Sequence, residues 1–450
     1  MSPDSYRPYP AYRDSGVMWL GEIPGHWEVR KLRHVTSLIV SNVDKNSSAD
    51  EYPVRLCNYT DVYNHEVISD GLDFMRATAT ADEIDRFQVR IGDVVITKDS
   101  ETWIDIGVPA LAQYEAPDFL CGYHLAIVRP RNVTLIGAFL LREFQSQIMA
   151  TQLHVAANGI TRYGLSHQDI KEMLLLVPPL PEQRAISAFL DRETAKLDAL
   201  IAKKERLLAL LAEKRAALIS HAVTKGLDPS VPMRDSGVAW LGEIPAHWEV
   251  LPVKRVARIR YGLGQPPAEA SNGLPLIRAT NINSGRVTST GMMHVDLYDV
   301  PLGRQATLRA GDIIVVRSGA YTGDSAIIPQ EYEGSLAGYD LVVSITKGFS
   351  PFYAWQLLSG EVRDLQISFE RLRAAQPHLN AEQLAEVLVT VPTATEEQLI
   401  AAYLDQETAK LDALSAKVSA AIEKLREYRA ALIAAAVTGK IDVREAAVHE

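Results

Sequence analysis

Two stretches of the chain carry a heptad pattern of apolar positions over more than forty residues. From Pro181 to about Val223 there is no internal glycine or proline, and Ala, Leu, Lys, Glu and Arg dominate. Leu190, Leu197, Lys204, Leu211 and Leu218 form one row, and Thr194, Ile201, Leu208, Arg215 and Ala222 the next. A later stretch places Leu404, Leu411, Val418, Leu425 and Leu432 on the first row, with Thr408, Ser415, Ile422, Arg429 and Ala436 on the second. A narrow seam on helix-forming residues predicts two long helices of coiled-coil type, each about 60 Å at 1.5 Å per residue. Gly226 and Gly439 supply their stops. The two seams can bury one another in either direction. An antiparallel pair gives a pseudo-two-fold relationship with a globular domain at each end, and is the expectation.

Elsewhere the pattern is mixed. Val94-Val95-Ile96 and Ile313-Ile314-Val315-Val316 follow Gly-Asp turns and read as strands. Met173 to Val177 and Val387 to Val391 read as strands leading into the long helices, while Ala138 to Leu153 and Pro351 to Leu365 read as helices. The fold class is α+β. Residues 1–180 form a first mixed domain, 181–224 a long helix, 225–394 a second mixed domain, 395–442 a second long helix, and 443–450 a tail.

The chain is written twice. Arg13 to Val29 reads RDSGVMWLGEIPGHWEV and Arg234 to Val250 reads RDSGVAWLGEIPAHWEV, 221 residues later. LDRETAKLDAL at Leu190 returns as LDQETAKLDAL at Leu404, 214 residues later. Between these anchors the copies agree only in outline: Gly92-Asp93 with Gly311-Asp312, Gly122-Tyr123-His124-Leu125 with Gly338-Tyr339-Asp340-Leu341. A frame kept while its contents differ suits a frame that docks a common partner and contents that choose different targets.

Composition adds bounds. The chain has 450 residues, 47% hydrophobic and 23% charged, and two cysteines, Cys57 and Cys121, far apart. No apolar run approaches the roughly 20 residues of a membrane span, and no apolar leader opens the chain; a cytoplasmic protein is expected. The net charge of −10 argues against a dedicated nucleic-acid binder. Yet between Lys254 and Arg317 nine basic residues, among them Arg258, Arg260, Arg304 and Arg309, face four acids. Such a local surplus can hold a phosphate backbone.

Catalytic patterns are missing. There is no GxxxxGK[ST] loop, no glycine-rich dinucleotide or S-adenosylmethionine signature, and no Asn/Asp-Pro-Pro-Tyr/Phe segment. His26 and His247 precede Trp27 and Trp248 without further recurring ligands, so packing or docking is their expected role. Asp93 and Asp312 read as turn formers. Three loops in each copy offer nucleic-acid chemistry. In the second copy they are Leu276–Asn283 with Arg278 and Asn281, followed by Arg286; Val316–Gly323 with Arg317, Ser318 and Tyr321; and Arg371–His378 with Arg371 and Arg373. In the first they are Arg55–Thr60 with Arg55, Asn58 and Tyr59; Thr97–Trp103 with Lys98 and Thr102; and Asn158–Tyr163 with Arg162 and Tyr163. Arginine can pair with guanine and asparagine with adenine in the major groove, and glycine-containing loops can approach phosphates closely.

The frame SGVxWLGEIPxHWEV resembles the start of type I restriction–modification specificity subunits. So does Pro178-Pro179-Leu180-Pro181-Glu182-Gln183-Arg184-Ala185-Ile186, followed by Phe189-Leu190-Asp191. The second copy replaces the proline-rich turn by Pro392-Thr393-Ala394-Thr395-Glu396 and keeps a Glu-Gln pair at Glu397-Gln398. The resemblance implies two target-recognition domains, each reading one half of a split double-stranded DNA site, with the paired helices as a ruler. It implies no catalytic residue, metal or cofactor on this chain, and docking of two methyltransferase subunits that carry S-adenosylmethionine and methylate adenine at N6. ATP- and Mg-dependent translocase–nuclease subunits are a further implied partner; a membrane is not. An assembly scaffold, a DNA reader of another defence system and a cryptic nuclease remain as alternative readings.

Overall fold

The computed structural model describes residues 6–444 apart from 266, 284, 301–305, 320 and 368–377. Arg304, Arg371 and Arg373 lie outside the described residues. The chain divides into two units, Met1–Lys204 with Ala420–Glu450, and Glu205–Ser419. The long helices, Leu180–Lys225 and Ala394–Val437, each contribute one segment to each unit.

In the first unit Ile186, Phe189 and Leu190 share a core with Leu432, Ile433, Ala436 and Val437. Further along, Asp198 accepts from Arg429 at 2.9 Å. Numbers rise on one helix as they fall on the other, so the segments run antiparallel. The second unit repeats this: Ile219, Ala222 and Val223 share a core with Ile400, Ala401 and Leu404, and Arg215 pairs with Asp412 at 3.2 Å. Every residue of the four heptad rows is buried or half-buried, while Leu200, Leu207 and Leu210 outside them are exposed. The seam is narrow, as a two-helix pairing requires.

Each unit is built on one antiparallel sheet with a smaller sheet beside it. In the first, Thr36–Val40, Leu125–Pro130, Val94–Thr97 and Pro109–Ala112 are neighbours in that order, and Val67–Ile68 adds a parallel edge. In the second, Ala257–Tyr261, Leu341–Ile345, Ile313–Val315 and Ser325–Ile327 take the same order. Strands Val94–Thr97 and Ile313–Val315 are β-branched throughout because both faces are covered. Val94 and Ile96 face one core and Val95 the other; Ile313 and Val315 face one and Ile314 the other. The helices expected behind the sheets are present but broken. The first is Gly137–Gln145 and Gln147–Ala156, interrupted at the extended Ser146. The second is Ser350–Leu357, then a turn at Gly360–Val362 and a π-helical turn at Arg363–Ile367.

The repeated frame is a joint between sheet and long helix. Trp27 and Trp248 are each 1% exposed. The indole of Trp27 donates to Glu182 at 2.9 Å and that of Trp248 to Glu396 at 3.2 Å; His26 and His247 meet the same carboxylates at 2.8 and 3.0 Å. Glu396, and not Glu397, therefore stands in the place of Glu182, which corrects the Glu-Gln pairing read from the sequence. Glu397 instead accepts from the Phe349 N–H and the Tyr353 hydroxyl, at 2.7 and 2.9 Å. Gly226 and Gly439 end the long helices at φ +78° and +70°. A Cβ on Gly226 would press on Trp248 at 3.2 Å, and one on Gly439 on Pro24 at 2.4 Å. The left-handed turn and the close approach both require glycine there.

Candidate nucleic-acid interface

The loops chosen from sequence converge at one end of each sheet, with His378 the one described residue of the Arg371–His378 segment. Strand Val94–Thr97 runs into Lys98–Trp103, and its neighbour Leu125–Pro130 is entered from Gly122–His124, so antiparallel pairing brings both loops to the same edge. Asn158–Gly164 joins them: Tyr163 pairs with Ser100, and Leu165 N donates to the Lys98 carbonyl at 2.9 Å. The Arg55–Thr60 loop is tied in through Gly122, whose N–H donates to the Cys57 carbonyl at 2.8 Å. A Cβ on Gly122 would meet that carbonyl at 2.9 Å. The second unit repeats the construction. Gly338 N donates to the Ile277 carbonyl at 2.8 Å, Arg317 N to Asp340 Oδ1 at 3.2 Å, and Leu379 N to the Arg317 carbonyl at 2.7 Å.

The side chains at these matching places differ. In the first unit Asp99 is the hub: its Oδ1 accepts from Arg162 at 2.8 Å and meets His124 Nδ1 at 2.6 Å, and Lys98 lies 3.5 Å from Oδ2. Burial, with Arg162 and Lys98 alongside, pulls the His124 pKa down against the pull of Asp99. Tyr163 is half-buried beside them. Tyr59 stacks on Tyr63 with ring centroids 5.5 Å apart and reaches Ser100 at 3.2 Å. Thr102 is exposed and donates to Asp105 at 2.5 Å.

In the second unit the hub is a cation. Arg317 packs over Tyr339 at 4.2 Å and Tyr261 at 4.9 Å, and Nη2 lies 2.8 Å from His378 Nε2. Ser318 bridges to His378. Asp340 is buried below, and burial pushes its carboxyl pKa up to about 6. Tyr321 is 59% exposed over a cavity of about 560 Å³ that Thr280, Asn283, Thr290 and Arg363 help to line.

Some expected base readers are otherwise engaged. Asn281 is fully buried; its amide donates to the Thr290 carbonyl and its oxygen accepts from Arg278 N, at 3.0 and 3.2 Å, so it shapes the turn and cannot present its amide to a base here. Arg278 is half-buried and donates to the Gly291 carbonyl at 3.1 Å. Arg55 is held by Asp118 through two bonds of 2.8 and 2.6 Å, with its guanidinium over Tyr114. Asn58 starts the short helix Tyr59–Tyr63, its N–H bonded to Asp61 at 2.7 Å. Arg286 is exposed on the short strand Arg286–Val287. Reading the sequence missed Asp99, His124, Tyr339 and the exposed Trp103. The matched Gly-Tyr-x-Leu segments were the available signal for His124 and Tyr339. Among the described residues no group of three metal-ligating side chains occurs, and no helix is long and apolar enough to cross a membrane.

Comparison with known proteins agrees with this duplication. The model of the type I restriction modification DNA specificity domain matches residues 24–209 and again 245–424. The specificity subunit of the type I restriction enzyme EcoKI of Escherichia coli K12 is 21% identical over 440 residues, 94% of this chain and 91% of that one. The EcoBI specificity subunit of Escherichia coli is 24% identical over 298 residues, 64% of this chain and 63% of that one, so this alignment spans under two thirds of that relative. In a solved structure of a type I R-M system, one chain shares the fold with a TM-score of 0.62 at 17% identity, covering 93% of this chain and 99% of that one. With a family match on each of two units that repeat one fold around different loops, the chain belongs to the type I restriction modification DNA specificity family.

Proposed function

We propose that each unit reads one half of a split double-stranded DNA target and that the chain directs adenine-N6 methylation, and cleavage, by partner subunits. The observation that carries this reading is the chemical divergence of the loops on a repeated scaffold. One loop end centres on Asp99, His124 and Arg162, the other on Arg317 stacked between Tyr339 and Tyr261. Two such surfaces offer different donors and acceptors to base edges, and so different preferences. The near-identical frame suits two copies of one partner, a methyltransferase subunit, with translocase–nuclease subunits joining in the full complex. In this reading S-adenosylmethionine, ATP and magnesium belong to the partners, the chain itself does no chemistry, and the long helices set the spacer between half-sites. Methylation requires the target base to leave the stack, which falls to the methyltransferase.

The test is a base-resolution map of N6-methyladenine in cells that carry this gene with its neighbouring methyltransferase, compared with cells lacking only this gene. A split motif present only with the gene is expected. An unchanged map, with both proteins expressed and associated, would sink the reading in favour of a scaffold.

A further inference from the structure

Each sheet buries a carboxylate at the turn before its central strand, and the two units neutralise it differently. In the first, Asp93 accepts two bonds from Arg129, at 2.8 and 2.7 Å, and Arg129 faces Ser37 across the sheet. In the second, Asp312 accepts from Arg260 at 2.7 Å and from Ser344 at 2.6 Å, and Ser344 faces Arg258. Arginine and serine have exchanged strands. With Arg260 and Ser344 serving Asp312, Arg258 is released to solvent.

Arg258 shares an open groove of about 880 Å³ with Arg260, Arg309, and the hydroxyls of Thr307, Thr346 and Ser350. Arg258 and Arg309 are exposed, and among the described residues neither has a carboxylate partner. Among the described residues the groove therefore carries three arginines against Asp312. The same turn in the first unit balances Arg90 and Arg129 against Asp93 and Glu115, whose carboxylate accepts from Ile91 N at 2.9 Å. The groove lies at the opposite end of the sheet from the recognition loops. Arg258 and Tyr261 lie three residues apart on the edge strand of the sheet, about 10 Å along the backbone at 3.3 Å per residue and with their side chains on opposite faces, and Tyr261 lies under Arg317. That distance is about three base pairs of duplex. Among the described residues no aromatic side chain lines the groove to stack a base, and its arginines and hydroxyls suit a phosphate.

We infer that this groove holds a backbone phosphate of the duplex beside the bases read by the second unit, on Arg258 and Arg309, with Arg260 as a positioning residue. At the matching turn of the first unit Arg129 is committed to Asp93, so the same surplus is not built there. This rests on the DNA-reading function proposed above. It is tested with the full chain, a labelled duplex of arbitrary sequence and a potassium chloride series. Arg258→Ala with Arg309→Ala should weaken binding by a similar factor on every sequence and lower the slope of log affinity against log salt by about 1 to 2. Arg258→Lys with Arg309→Lys should keep the slope, and the methylated motif should stay unchanged in both halves. If wild type shows salt-dependent binding and the alanine variant keeps the same slope, the groove assignment is wrong while the reading stands. If wild type shows no salt-dependent binding, the reading fails and takes the groove with it. If inorganic pyrophosphate binds wild type and not the alanine variant while the DNA slope is unchanged, the groove takes a small free anion and the duplex assignment is overturned.

Discussion

The helix behind the sheet carries Glu143 in the first unit and Gln356 in the second, and both meet the strand that leads into a long helix. Glu143 accepts from Leu176 N at 2.6 Å, and Gln356 accepts from Thr390 N at 3.1 Å. Gln356 also donates to the Thr390 carbonyl and hydroxyl, at 2.5 and 2.7 Å. Among the described residues the second oxygen of Glu143 has no partner, and complete burial raises its pKa well above the ordinary value of 4.5. The fold demands one acceptor at this position and is indifferent to the rest of the side chain. The same holds at Asp93 and Asp312, where a buried carboxylate is fixed and the strand that neutralises it is not. Duplication kept what the frame needs and released the remainder to vary.

The largest effect that would sharpen this comparison lies in the frame. Trp248→Ala should cost about 3–5 kcal/mol in the second unit, and Trp27→Ala the same in the first. Each loss should appear in hydrogen-exchange protection of its own unit. Equal loss of protection in both units would break the picture of separately built cores.

Next come the neutralising residues. Arg129→Ser strands Asp93, which is 1% exposed, and should cost about 3 kcal/mol. Ser344→Ala leaves Arg260 on Asp312 and should cost only about 1 kcal/mol. Urea denaturation of the two variants side by side measures the difference, and comparable losses would show that Arg260 does not carry the charge.

At the recognition loops, Arg317→Ala should cost about 1–3 kcal/mol in target affinity and relax the motif in one half-site, while Arg162→Ala relaxes the other. Methylome mapping of both variants decides it; a change in both halves from either one contradicts independent readers.

The smallest expected effect is a gain. Glu143→Gln gives the first unit the amide of the second and should stabilise it by about 1 kcal/mol at neutral pH. Folding raises the carboxyl pKa, so its contribution is complete below about 4.5 and is lost as pH rises towards the folded value. Thermal melts across pH should show the wild type falling behind the variant on the alkaline side. A difference that grows on the acid side would refute the neutral acid.

Periodicity made the long helices legible, because forty residues of one pattern average out every local exception, and the heptad rows proved buried or half-buried throughout. The repeat was legible because the frame is under one packing constraint twice, with Trp27 and Trp248 locked onto Glu182 and Glu396. The positions of the recognition loops followed from matched breaks in the pattern. Their occupancy did not. Asn281 looked like a reader and is a buried turn residue, while Asp99 and His124 looked incidental and form a hub. A polar side chain spends its hydrogen bonds on whatever the fold brings within about 3 Å. That neighbour here is 25 residues away for Asp99, 61 for Arg317 and 52 for Arg260.

The sequence by itself determined the duplication, the helical stems, the sheet cores and the segments that form the loop ends, since all of these follow from local patterns and their recurrence. Only the tertiary structure decided which arginines are consumed by buried carboxylates and which are left facing solvent. That choice depends on cross-strand register and burial, which no single stretch of chain encodes.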